Sequence, residues 1–118
     1  MAAETNSNYP AGAEIYRLVV DAKKCIPDNR TDNRMPFFRP ASLDLGDGHQ
    51  YSAFTRDISA IGVGLIHSTA FVPSDISVRI LSDEGRWVRV RTRISWCKSC
   101  GEGWYMSGGV FIGTAVVD

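Results

Sequence analysis

Two short stretches of this chain hold side chains able to grip a phosphorylated, planar ligand. In the first, Arg30 and Arg34 stand four residues apart with Arg39 just beyond. A guanidinium fork offers two charge-assisted N–H bonds to a phosphate or carboxylate, or stacks over a flat ring. The second is D-I-S-A-I-G, residues 57–62. Asp57 and Ser59 lie two apart, so on a strand or at its end both side chains face the same way. Gly62 and Gly64 leave room for something to approach the backbone, or permit a turn or bulge. Each stretch also has an ordinary reading: local ion pairing of the arginines with Asp28 and Asp32, and a hairpin turn capped by Asp or Ser. Together they mean more. A carboxylate accepts from the Watson–Crick edge of guanine, while arginine donates to O6 and N7 or stacks on the ring. An arginine pair on an arm over a face presenting Asp and Ser beside a glycine suits a guanine nucleotide.

Those residues need a scaffold. Ile15, Leu18, Val19 and Ala22 share one side at helical spacing, so residues 11–25 read as a short amphipathic helix, although YRLVV could equally be a strand. Pro27 stops either one. DNRTDNRMPFFRP, residues 28–40, reads as an exposed connector. After Pro40 the chain becomes short segments broken by Gly, Asp and Pro. ASLDL is a strand closed by the turn GDGHQ; YSAFTRDIS, IGVGLIHS and ISVRIL follow, and DEG makes a tight turn. RWVRVRTRISW alternates strictly, with Val88, Val90, Thr92, Ile94 and Trp96 on one face and Arg89, Arg91, Arg93 and Ser95 on the other. CKSCGEG reads as the next turn, and WYMSGGVFIGTAVV supplies one or two last strands. About six short strands at this spacing predict an all-β fold, a closed or nearly closed small antiparallel barrel. A flat sheet packed on the helix is the rival.

At this point the sequence resembles the PilZ domain family. Arg30-T-D-N-Arg34, followed 23 residues later by Asp57-I-Ser59-A-I-Gly62, resembles its two-part signature, R-x-x-x-R then D/N-x-S-x-x-G. IGVGLIHS and the late GGVFIG look like the family too, and the resemblance covers about residues 28–114. It implies a six-stranded antiparallel barrel of split-barrel type that binds the bacterial second messenger cyclic di-GMP. It implies that Arg30 and Arg34 grip phosphate and guanine, that Asp57 and Ser59 hydrogen-bond a guanine, and that Gly62 lets the ligand approach. Arg39 and Arg91 are accessory candidates. The place before Arg30, where many members carry a further arginine, holds Asn29, a departure bearing on a stacked two-molecule form of the ligand.

The 118 residues carry 13 Lys+Arg against 13 Asp+Glu, a neutral total that disfavours nucleic acid as a partner. Ten of the cations are arginine, and five of them lie between 79 and 93 against Asp83 and Glu84. That stripe is a solvated face, a wall of the ligand site or a contact for an acidic partner. No run of 18 apolar residues spans a bilayer. Met1 to Pro10 lacks the features of a secretory signal, and three cysteines make no disulfide framework, so the expected compartment is the cytoplasm. C-x-x-C at Cys97 and Cys100 lacks a following helix to activate a thiol, and Cys25, His49 and His67 show no metal-ligand spacing. No histidine stands ready to activate Ser59. The expectation is therefore no catalytic residue, no metal and no resident cofactor. Residues 1–27 form a leader with a short helix, and residues 28–118 the barrel domain with its arm at 28–40. The domain would bind cyclic di-GMP, order its arm and signal to an unidentified effector protein, as monomer or homodimer. The alternative is a ligand-independent interaction domain using the barrel face or the Arg79–Arg93 surface.

Overall fold

The computed structural model describes residues 11–23 and 34–118. One helix, α1 (Ala13–Lys23), precedes eight strands. These are β1 (Met35–Pro36), β2 (Pro40–Asp44), β3 (Gln50–Ile58), β4 (Gly62–His67), β5 (Asp75–Leu81), β6 (Trp87–Gly101), β7 (Trp104–Phe111) and β8 (Val116–Val117). Helix wins over strand at residues 15–22 because Ile15, Leu18, Val19 and Ala22, spaced i, i+3, i+4 and i+7, all bury as one stripe. That stripe joins the core cluster, and α1 packs against β1 and β3.

Every strand pairing is antiparallel, and the order β3–β2–β5–β6–β7–β4 closes on itself through the β3–β4 ladder. The predicted six-stranded barrel is therefore closed, with β1 added beside β3 and β8 beside the first half of β6. Period-two alternation builds it. In β5, Ile76, Val78 and Ile80 are fully buried, and across the ladder Val88, Val90, Thr92 and Ile94 of β6 point inward with them. Closure pairs both edges of the ring strands, which removes the open ladder a lone sheet exposes.

Three local expectations need correction. The connector's described part is not simply exposed. Met35 and Phe37 are buried, and β1 pairs with Ile58 and Asp57 because two apolar side chains gain more inside than out. CKSCGEG is not a turn. Lys98, Ser99 and Gly101 stay paired with Met106, Tyr105 and Trp104, and only Gly101–Gly103, all at positive φ, reverse the chain. Glycine at two of these three positions removes most of the steric cost. Finally, Trp96 does not continue the inward set. A bulge between Ile94 and Trp96 shifts the register, so that Ile94 faces Gly109 but Trp96 faces Gly108. One extra residue, Ser95, turns the indole to the outer face.

Candidate functional site

The base of the arm is laced to β3. Phe37 N–H donates to the Arg56 carbonyl at 3.0 Å, and Thr55 N–H to the Arg39 carbonyl at 2.9 Å. The fully buried Thr55 hydroxyl accepts from Arg39 N–H at 2.8 Å and donates to the Phe37 carbonyl at 2.6 Å. Threonine suits this place because one hydroxyl satisfies a backbone donor and a backbone acceptor at once. Pairing of Met35 with Ile58 then brings Arg34 within reach of Asp57.

A second bulge lies between Thr55 and Asp57, opposite β4. Thr55 still faces inward, but Asp57 pairs with Gly64 and its carboxylate comes to lie over that glycine. A Cβ on Gly64 would stand 2.6 Å from Asp57 Oδ1 and 2.8 Å from a terminal nitrogen of Arg56. The carboxylate is held between two cations: Arg34 donates to Oδ1 at 2.5 Å, and Arg56 lies 3.0 Å from Oδ2. Asp57 is only 7% exposed, whereas the Arg34 side chain is about half open to solvent. A nearly buried acid with a half-exposed cationic partner can exchange that partner for another donor, which is what ligand recognition requires.

The glycine row continues across the barrel. Gly64 pairs with Gly108 of β7, and Gly108 with Trp96 of β6. The order across four strands is Asp57, Gly64, Gly108, Trp96, with both bulges aiming their side chains onto the outer face and no side chain between them.

The other expected residues take different places. Ser59 is buried, and its Oγ accepts from Ile61 N–H at 3.3 Å and Gly62 N–H at 3.2 Å, the cap of the β3–β4 turn. This leaves its own O–H as the donor it can still offer. A Cβ on Gly62 would fall on the Gly109 carbonyl oxygen, so what approaches this glycine is the neighbouring strand. Arg39 is not brought to Asp57: its guanidinium pairs with Asp83 at 3.1 Å and lies over the Phe37 ring. Arg91 is on β6, three strands away. Arg30 and Cys25 lie outside the described residues. The basic stripe is partly neutralised: Asp118 pairs with Arg79 and Arg89, and Asp75 with Arg93. Asp118 and Asp75 carboxyls are accordingly held below their ordinary range by these guanidiniums. Among the described residues, no three His, Cys, Asp or Glu side chains gather as a metal site needs. No described helix is long and apolar enough to cross a membrane.

Arg56 is the functional candidate that sequence reasoning passed over. Its terminal nitrogen holds Asp57 at 3.0 Å, while its Nε is a buried side-chain nitrogen without a hydrogen-bond partner. Its position directly before the motif aspartate was the available signal.

The PilZ domain model matches residues 28–115, three-quarters of the chain, with both arginines and the Asp57–Gly62 stretch inside it. The chain belongs to the PilZ domain family. PilZ domains are receptors for cyclic di-GMP and catalyse no reaction, so the family accounts for a site with ligand-gripping groups and no activated nucleophile. Among solved structures, the PilZ barrel here resembles that of the Bacillus subtilis inhibitor of motility (MotI/DgrA), with a TM-score of 0.59 at 10% identity. The alignment covers 76% of this chain and 46% of that one, so this chain spans about half the length of the structural relative. At that identity the likeness concerns the PilZ fold alone. No curated protein matches this PilZ chain in sequence.

Proposed function

We propose that this domain holds cyclic di-GMP on the outer face of its barrel, between the Arg30–Arg34 segment and the row that begins at Asp57. The observation carrying this reading is the carboxylate of Asp57, nearly out of solvent and clamped by Arg34 and Arg56 above a glycine. In the unliganded state Arg34 satisfies that carboxylate. A guanine replaces it with its N1–H and N2–H donors, and Arg34 turns to a phosphate oxygen or the face of the base. Arg30 supplies the second fork, the Ser59 hydroxyl a further donor, and Gly62 the strand geometry that holds the turn. Arg56 stays beside Asp57 as the second cation that keeps the carboxylate ionised and in place. Arg39 and Arg91 take no part, the first being committed to Asp83.

Ligand exchange at Arg34 then draws the arginine-bearing segment that precedes β1 onto the ligand, and the altered surface is what an effector protein reads. A receptor for an intracellular messenger works in the cytoplasm. The alternative, a ligand-independent basic docking face, would rest on the stripe's remaining charge, since Asp118 and Asp75 pair with only three of its five arginines. Calorimetry of the full chain with cyclic di-GMP tests the proposal. Saturable heat is expected, abolished by Arg34→Ala and by Arg30→Ala. An intact, folded protein that gives no heat refutes it.

A further inference from the structure

We propose that Ile61, Val110 and Ile112, with the Arg91 guanidinium beside them, form the surface on which the effector docks. The surface fits an amphipathic helix whose apolar stripe is edged by carboxylates. The inference deepens the receptor reading and rests on it for its link to the ligand. The three side chains are 56%, 43% and 40% exposed, although all are aliphatic. They are neighbours. Phe111 packs against the core between Val110 and Ile112, so those two share the outer face. Phe111 N–H donates to the Ile61 carbonyl at 2.8 Å, which sets Ile61 against the same stretch. Gly62, opposite Val110, adds no side chain between them. Single exposed apolar residues mean little, but a contiguous group bordered by charge marks an interaction site.

The border of the patch is positive. On β6, Arg93 lies opposite Val110 in the ladder, and the Arg91 carbonyl accepts from Ile112 N–H at 2.9 Å. The Arg91 stem runs beside Gly113, where an added Cβ would stand 3.3 Å from its own. Asp75 is the carboxylate at hand, and Arg93 takes both of its oxygens, at 2.9 and 3.1 Å. Arg91 has no ion-pair partner among the described residues, and two arginines against one aspartate leave a net positive charge. A second copy of this chain would bring the same cations to the same patch, so charge selects against self-association and for an acidic partner. Spacing selects the helix. Val110 and Ile112 are two strand residues apart, about 7 Å, and Ile61 is one strand spacing away, about 5 Å. Side chains three and four apart on a helix stand about 5–6 Å from one another and meet such a triangle. One turn serves both sites. Ser59 Oγ accepts from Ile61 N–H, and the Ser59 O–H is the donor proposed for the ligand, so engagement of that serine is felt by a residue of the patch.

The test uses the full chain and a fluorescein-labelled helical peptide of about four turns, with leucine along one face and glutamate on both flanks. Anisotropy at low salt is expected to show saturable binding, with a midpoint that moves by about threefold or more when cyclic di-GMP saturates the protein. Ile112→Asp is expected to weaken the peptide roughly 10-fold and Arg91→Glu roughly fivefold, both keeping the parent's heat with cyclic di-GMP. A peptide with lysine in place of glutamate should bind Arg91→Glu better than the parent, a reversal that misfolding cannot produce. The docking surface is overturned, and the receptor reading stands, if cyclic di-GMP gives heat but the glutamate peptide does not bind, binds both variants like the parent, or binds without regard to the ligand. Sedimentation of the parent with phosphatidylserine vesicles, lost in Ile112→Asp, would overturn it in favour of a lipid surface. If the peptide binds and both variants weaken it, yet cyclic di-GMP gives no heat, the receptor reading falls and the acidic docking surface remains.

Discussion

Gly62 and Gly64 are two residues apart on one strand, yet an added methyl group would have opposite consequences at the two places. In Gly64→Ala the new Cβ meets Asp57 Oδ1 at 2.6 Å and Arg56 at 2.8 Å, against ordinary contact from 3.4 Å. The carboxylate must retreat by about 0.8 Å, enough to break its short contact with Arg34 and its alignment with a guanine edge. Both obstructing groups are side-chain ends that can swing outward, so the barrel survives, and the melting temperature should stay within about 3 °C of the parent. Losing a carboxylate–guanine pair costs about 1–3 kcal/mol, or roughly 5- to 150-fold in affinity for cyclic di-GMP. In Gly62→Ala the obstacle is the carbonyl of Gly109, backbone of the adjoining strand. β4 and β7 must part, at a cost of about 1–3 kcal/mol, which for a domain this size lowers the melting temperature by about 5–20 °C. Thermal unfolding by circular dichroism and calorimetric titration read the two effects separately. A Gly64→Ala protein that binds like the parent, or a Gly62→Ala protein that melts like it, would refute the reasoning.

Thr55→Val, close in shape, should leave Arg39 N–H and the Phe37 carbonyl without their hydroxyl partner and cost about 1–3 kcal/mol in chemical denaturation. His67 is buried against Phe71, with Nδ1–H donating to the Thr69 carbonyl at 2.8 Å and Nε2 accepting from the Ser107 hydroxyl at 2.8 Å. Burial outweighs the Thr69 bond and holds its pKa below the ordinary 6.5. The unfolded chain then binds the proton more readily, so stability should be full above pH 6.5 and decline as pH falls through it, a decline that His67→Gln should flatten in denaturation series from pH 7.5 to 5.5. Cys97 and Cys100 are three residues apart on an extended strand, about 10 Å, beyond disulfide reach. Peptide mass spectrometry after mild oxidation should find no bond between them, and Cys97→Ser with Cys100→Ser should leave ligand binding unchanged.

The parts of this fold that alternate regularly were legible in the sequence. Val88 to Ile94 announced both their strand and their inward face, and the Gly- and Asp-rich turns marked where most strands end. What escaped was the register of two single residues. Nothing local in T-R-D or I-S-W says that one residue will bulge, because the partner strands decide it, and those are set by pairings across the barrel. Hence Trp96 was expected inside, and Arg56 was not singled out beside Asp57. The burial of Met35 and Phe37 was hidden by the polar composition around them. The basic stripe looked bare because its counter-charges, Asp75 and Asp118, come from other strands or from beyond β8. The signature itself was visible as spacing. That Arg34 and Asp57 hold each other was not.

The row from Asp57 to Trp96 occupies one side of four strands, and the core occupies the other. Val63 and Leu65 point inward on either side of Gly64, and Ile94 does so just before Trp96. On the proposed reading, sensing and folding therefore draw on separate sets of side chains. Substitutions at Asp57 leave the apolar interior untouched, so if the proposed site is right the barrel can outlive its ligand. Gly62 is the exception, because the same position serves the motif and the strand spacing. Drift at the first group should yield silent but well-folded domains, and drift at Gly62 should yield unstable ones.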